Sequence, residues 1–350
     1  MNFQKALFKL EGKKLKRSIY DKLAVQLEYG INLKDALNEL TKRAKRNNKS
    51  VAEFVLKDIK SKVSNGKTFA DAVKSWVPAL DYTIIFSAEK AGKLPEILRL
   101  INDIDDMKSD LKKQFLGGLI SPAILLAAVY GLLFYLGKYA LPSILQITKH
   151  VSGFAVILIY MTKFTDSIWL FLVPVIVIAL VIVIIYSLPV LTGDVRKKLD
   201  NIFPWTIYRK FTGAIWLIGL SGLISAGVNE TQALKEMTDY SNNYLKERLK
   251  TFYKGMQNGL NLGEAMQNSG FDFPDKDTVD DIVVFSNFPE FDKKLNLISK
   301  ANIKETKEKI SAVSKILSFI FNMLVYVLIL LIVAGSMSLI MNISTSVNKF

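Results

Sequence analysis

Cysteine is absent from this 350-residue chain, and histidine occurs once, at His150. The first absence excludes a disulfide framework, a thiolate metal site and a thiol nucleophile. The second excludes a histidine-cluster metal centre and leaves little room for a Ser-His-Asp arrangement. Charged residues are sparse at 22%, half of the residues are hydrophobic, and the mean hydropathy is +0.25. A typical soluble domain carries about 25% charge. No alternating apolar–polar run of useful length marks a strand. The charge that is present leans one way, with 46 Lys+Arg against 32 Asp+Glu and a net +14. Such an excess beside very apolar segments points to an anionic partner, lipid headgroups before nucleic acid.

Three segments reach the length of about 20 apolar residues that crosses a bilayer. They lie at about 118–141, where Lys138 near one end is the single charge, and at 168–190 and 317–341, which carry none. Trp169 and Tyr186 sit near the ends of the second, at headgroup level. A fourth stretch, 211–228, is apolar enough to compete, and hydropathy alone does not decide it.

An internal repeat does. LAVQLEYGINLKDALNEL (23–40) aligns with LSGLISAGVNETQALKEM (220–237), pairing Leu23 with Leu220, Gly30 with Gly227 and Glu39 with Glu236. NGKTFADAV (65–73) aligns with NGLNLGEAM (258–266), pairing Gly66 with Gly259. Each copy then leads into a span. Self-similarity of this kind marks a duplicated unit. Because 15–29 is plainly water-soluble, its counterpart around 211–226 is predicted to be a water-side helix with an apolar core face.

The predicted fold is therefore all-α: two homologous cytoplasmic bundles of about six helices each, plus three transmembrane helices. The order is a basic arm (1–18), a first bundle (19–116), a span (117–141), a short connection (142–167), a second span (168–191), a second bundle (192–316), a third span (317–341) and a tail (342–350). Residues 1–116 hold 24 Lys+Arg against 15 Asp+Glu, while 142–167 holds only Lys149 and Lys163. Arg196, Lys197 and Lys198 abut the second span. The positive-inside rule then puts both bundles and the N-terminus in the cytoplasm and the C-terminus outside. The opening MNFQKALFKLEGKKLKRS lacks the apolar core of a cleavable signal peptide.

Several motifs invite a sharper reading. Gly66-Lys67-Thr68 resembles the end of a phosphate-binding loop, but Ser61 stands where that motif needs glycine and the residues ahead read as helix. A helix end at Gly66 followed by a cap at Thr68 fits better. The carboxylates of 272, 275, 277, 280 and 281 lack the glycine and closing glutamate of a calcium loop and read as a solvated or partner-facing surface. Ala123, Ala127 and Gly131 form a small-residue stripe that lets a second helix approach, from within the chain or from another one. Pro122 and Pro174 fall in the first turns of spans, where proline is tolerated. Phe3, Leu7 and Leu10 share a helical face among Lys5, Lys9, Lys13, Lys14, Lys16 and Arg17, which suits an interfacial helix on anionic lipid or an arm for an acidic partner. No constellation of residues points to a catalytic centre, a cofactor or a metal. The spans contain no Asp, Glu, Arg or His for coupling solute transport, so a transporter or channel subunit is the alternative rather than the leading reading.

The paired helix ends at Gly30/Gly227 and Gly66/Gly259, the segment AEKAGKLPEIL (88–98) and Pro122 carry a resemblance to the inner-membrane platform family shared by type II secretion systems and type IV pilus machines. Glu89, Gly92 and Leu94 match that family's pattern. The second copy, SNFPEFDKKL (286–295), has lost both glutamate and glycine, and Ser121 replaces a usual tyrosine. The resemblance implies a bacterial inner-membrane, non-enzymatic protein without a cofactor. It would form homo-oligomers and link a hexameric cytoplasmic assembly ATPase to pilin or pseudopilin subunits, beside inner-membrane alignment proteins. The drifted motifs lean toward a pilus machine.

Overall fold

The structure, a computed structural model, describes residues 2–146, 151–164 and 167–347. Among the described residues there are helices and turns but no strand. The helices are α1 Asn2–Glu28, α2 Leu33–Arg46, α3 Ser50–Ser64, α4 Phe69–Val73, α5 Ala79–Lys90, α6 Leu94–Tyr135 with a π-helical turn at Leu136–Ala140, α7 Leu141–Leu145, α8 Phe154–Lys163 and α9 Trp169–Val190. There follow α10 Gly193–Leu199, α11 Trp205–Ser225, α12 Glu230–Asp239, α13 Asn243–Gln257, α14 Leu262–Ser269, α15 Lys276–Phe285 and α16 Phe291–Val347. The duplication is visible in this order: α1–α6 correspond to α11–α16. Among the described residues, three helices are long and apolar enough to cross a membrane, at Ile120–Leu145, Leu172–Val190 and within Phe291–Thr345.

The chain divides into two compact units, and both copies of the repeat belong to one of them, residues 1–110 with 187–307. A single hydrophobic core runs through that unit. Leu23, Leu37, Phe69, Ile85 and Leu98 from the first copy and Trp216, Leu234, Phe252, Phe273 and Leu295 from the second are all fully buried in it. The copies meet along α5, α11 and α12. Ser87 donates its hydroxyl to Glu236, Tyr82 packs edge-on against Tyr240 at 5.2 Å, and Leu100 fills the space a side chain at Gly222 would need. The helix that competes for a fourth span, α11, is the centre of this core: every residue from Gly213 to Ile224 except Gly222 is buried. Its apolarity matches two-sided burial in protein, as the repeat demands.

The repeated helix ends are built alike. At Gly30 the amide donates to Leu27 O and the next amide, Ile31, reaches back to Gln26 O, both at 3.0 Å. This Schellman closure satisfies the last carbonyls of α1. It needs a positive φ, here +80°, and no atom lies within 4 Å of where a Cβ would be, so conformation rather than space selects glycine. The same pair of bonds recurs at Gly66, Gly92, Gly227 and Gly259.

The second unit comprises residues 111–186 and 308–350. Within it α8, which the sequence reading treats as part of a connection, packs Ala155 and Leu158 into a small core with Val129, Leu141, Val325, Ile332 and Leu339. Gly335 permits this, since a Cβ there would sit 2.6 Å from Leu158 Cβ. Ser338 Oγ and Asn342 Nδ2 donate to the Ser152 carbonyl and tie the start of the α8 segment to α16. By contrast, none of the 172–190 window of α9 is buried, although its mean hydropathy is 2.9.

Candidate functional site

Glu89 lies at the last turn of α5 and is half-buried. Its two carboxylate oxygens accept from the first two amides of α4, Phe69 N at 2.6 Å and Ala70 N at 2.8 Å. A carboxylate at a helix N-terminus satisfies orphan donors and complements the helix dipole. Thr68 caps the same helix through Asp71 N. The reciprocal Asp71 bond of a capping box is replaced by a bond from Tyr82 Oη to Asp71, because Asp is one methylene shorter than the usual Glu. In the second copy the equivalent helix, α14, carries a complete box of its own, Asn261 with Glu264. Ser286 and Asn287, at the end of α15, bond the Asn261 side chain. The loss of glutamate from the second copy is thus met by a local cap plus a neutral tether. Glu290, φ +59°, stands just ahead of α16, as Gly92, φ +70°, stands just ahead of α6.

A second difference between the copies lies deeper. Lys16 of α1 is buried and reaches Asp81 of α5 and Asp105 of α6, both at 2.5 Å. Burial alone would pull its pKa down, but the two carboxylates outweigh this and raise it. Matched by Leu23 and Leu220 in α1 and α11, and by the first residues of α5 and α15 and of α6 and α16, these three positions become Gly213, Thr278 and Asn302. There the tie is neutral at its centre, Asn302 Nδ2 to Thr278 Oγ1 at 2.6 Å, with Asp275 accepting a further bond at 3.1 Å. Pro274 Cβ occupies the space a side chain at 213 would need, at 2.5 Å.

The second copy has its own buried charge. Arg196 of α10 and Arg248 of α13 are both fully buried around Asp200, with Glu247 beside Arg248 at 3.4 Å. Arg248 reaches Asp200 at 2.5 Å, and Arg196 lies 3.3 Å away. Both guanidinium groups also lie against the Tyr244 ring, 4.2 Å for Arg196 and 3.6 Å for Arg248. Burial lowers the Arg196 pKa against the pull of Asp200, and burial raises that of Tyr244. These groups lock α10, α13 and the 271–273 loop together.

The profile of the family described as "Type II secretion system (T2SS), protein F" matches residues 19–142 and again 216–341. The chain belongs to this family. Toxin coregulated pilus biosynthesis protein E of Vibrio cholerae serotype O1 is 22% identical over 329 residues, covering 89% of this chain and 93% of that protein. The chain is accordingly an inner-membrane protein of the type II secretion and type IV pilus class.

The residues of the family pattern and of the other motifs fall into distinct places in this chain. Gly30, Gly66, Gly92, Gly227 and Gly259 are helix closures, Glu89 is a cap, and Leu94 is buried at the start of α6. Gly66-Lys67-Thr68 joins two helices, α3 and α4, so no strand aims it at a phosphate. Pro122 is not at a helix start, as the isolated span suggests, but inside α6, because the span is the continuation of a helix that begins at Leu94. Ala123, Ala127 and Gly131 are all exposed, whereas Pro122 and Val129 on another face are buried.

The basic arm is not separate from the first bundle. It is the first part of α1, and Lys16, with Lys13 donating to the Asp105 carbonyl, fastens it to α6. Lys14 is exposed, and the side chains of Phe3, Lys5, Leu7 and Lys9 lie outside those the structure describes. Arg196 is a core residue rather than a headgroup contact. In the acidic segment Asp275 N-caps α15 and bonds Thr278. Among the described residues no group of three or more acidic or histidine side chains is arranged to hold a metal. The buried Lys16 and Arg196 clusters were missed because a lone lysine or arginine between apolar residues reads as surface.

Proposed function

We propose that this chain is the platform of a type IV pilus machine. The unit formed by both repeats receives conformational work from a hexameric cytoplasmic ATPase, and the apolar helices pass it to pilin subunits held in the bilayer. The observation that carries this reading is the packing of both protein F repeats into one unit through Ser87–Glu236 and Tyr82–Tyr240. A partner pressing on either copy then acts on both. The pilus assignment is favoured over secretion by the similarity to a pilus biosynthesis protein over nearly its whole length. The distribution of Lys and Arg supports a cytoplasmic N-terminus and an outer C-terminus. The exposed face of Ala123, Ala127 and Gly131 suits contact with a second protomer or a pilin helix. No catalytic role is proposed.

The test is co-purification of the full chain in detergent with a pilus assembly ATPase of the same organism. Retention of the ATPase by the parent chain, lost when the exposed surface of the repeat unit is altered without unfolding it, is the expected result. Absence of any association, together with solute flux through proteoliposomes holding this chain alone, would overturn the proposal in favour of a transporter.

A further inference from the structure

A cleft of about 950 Å³ opens between α1, α2 and the start of α3. Its charged lining is entirely basic: Lys13, Lys14, Lys22, Arg43 and Lys49, with no carboxylate among the lining residues. Lys13 is engaged by a main-chain carbonyl and Lys22 by the Ser18 hydroxyl. Among the described residues, no carboxylate pairs with Lys14, Lys22, Arg43 or Lys49. Lys22 registers the imbalance, its pKa lowered first by burial and then by Arg43 and Lys49.

Comparison with the second copy shows that the fold does not require this arrangement. α3 and α13 are equivalent helices of 15 residues. The N-cap of α13 is Asn242, whose side chain accepts from Leu245 N. The N-cap of α3 is Lys49, which makes no side-chain cap bond and leaves the first-turn amides of Ser50, Val51 and Ala52 without a side-chain acceptor, at the wall of the cleft. A lysine there forgoes a cap worth about 1 kcal/mol and sets a cation at the positive end of the helix dipole. In the Leu23–Leu220 register, Lys22 and Arg43 become Gly219 and Tyr240. Of the five cations only Lys13 has a basic counterpart, Lys210, so the cluster itself belongs to the first copy.

We propose that the cleft binds a phosphate-bearing anion, with Lys22, Arg43 and Lys49 at its centre, Lys13 and Lys14 at its α1 wall and the α3 amides completing the donors. A cleft of this volume is the size of a small-molecule site, whereas a protein surface of like charge is met by a broad, flatter face. Oxygen-rich dianions take up both the amides and the cations. The bound group comes either from a soluble polyphosphate compound or from an anionic lipid headgroup. The proposal stands or falls independently of the ATPase coupling.

The test uses the full chain in nanodiscs and inorganic tripolyphosphate as the probe, followed by calorimetry. In phosphatidylcholine discs the expected result is saturable one-to-one binding, weakened at least about tenfold by Lys22→Gln with Arg43→Gln, since two charge-assisted contacts are lost. The pair Lys34→Gln with Lys42→Gln removes the same charge from exposed positions of α2 outside the cleft and is expected to leave affinity nearly unchanged. Discs containing phosphatidylglycerol separate the sources: suppressed tripolyphosphate binding identifies a headgroup as the occupant, and unchanged binding identifies a soluble compound. No saturable binding in phosphatidylcholine discs would overturn the proposal. So would equal losses from both variant pairs, or equally tight and equally sensitive binding of polyglutamate, which would make the cleft a dock for an acidic polypeptide.

Discussion

Replacing Glu89 by alanine isolates the part of the family pattern whose role is most concrete. The substitution removes an acceptor from Phe69 N and Ala70 N, at 2.6 and 2.8 Å, and leaves α4 with Thr68 alone as its cap. A hydrogen bond to a charged group contributes about 1.5–3 kcal/mol, and because Glu89 is half-buried water recovers part of two such bonds; the net loss is about 2 kcal/mol. That corresponds to an open population of α4 about 30-fold larger. Hydrogen–deuterium exchange of the full chain in detergent, read on peptides covering 69–73, measures this directly. Glu89→Gln keeps one acceptor oxygen and is expected to lose about half as much. Glu264→Ala, which removes one reciprocal bond from a self-contained box, is expected to cost about 0.5–1 kcal/mol at α14. Exchange of 69–73 within about twofold of the parent in Glu89→Ala would refute the reasoning, and with it the idea that the motif glutamate is an architectural clamp.

Three further outcomes follow from the buried charges and the seam. Lys16→Met leaves Asp81 and Asp105 facing each other and is expected to destabilise the chain by about 3–5 kcal/mol. In the parent, the Lys16 pKa is raised above its ordinary 10.5, so its contribution is complete below that value and is lost as pH rises through the higher folded one; thermal melts by near-ultraviolet circular dichroism across that range check the sign. Asp200→Asn leaves the buried Arg196 without its carboxylate and Arg248 with Glu247 alone, at 3.4 Å, and is expected to cost at least about 3 kcal/mol, whereas Arg196→Met removes one of the two guanidinium groups and is expected to cost far less; a larger loss from Arg196→Met would contradict the cluster. Since the chain has no cysteine, single cysteines at exposed Lys45 and Lys250 can be probed with an impermeant maleimide in sealed vesicles of known orientation. Both are expected to label from the same side and Thr345→Cys from the opposite one.

Most of the architecture was legible from two signals. Span length located the three helices long and apolar enough to cross a membrane, and the repeat located the helix ends and assigned α11 to a protein core, which hydropathy could not do because burial in protein and burial in lipid select the same residues. What was hidden has physical causes. α8 is only 10 residues long, too short to register as a span, and its partner residue, Gly335, looks like any glycine in an apolar run. Pro122 was read as a helix start because a span analysed alone has no memory of the helix that precedes it. Lys16 and Arg196 look like surface charges because their counter-charges, Asp81, Asp105 and Asp200, lie on other helices or a turn away, and only the packed chain brings them within 2.5–3.3 Å. The corner at Glu89 was visible as a pattern, but its partner, the start of α4, was not.

The seam along α5, α11 and α12 carries a rule of parity. On the proposed topology, two surfaces that touch share one aqueous compartment, so the polypeptide running from the first helical bundle to the second, through the first two spans, has to return to the face it left. Evolution can lengthen, shorten or decorate that excursion, yet it can add or delete crossings there only two at a time. A relative with an odd number of passes between its halves would have to dissolve the Tyr82–Tyr240 contact and become, mechanically, two separate proteins on one string.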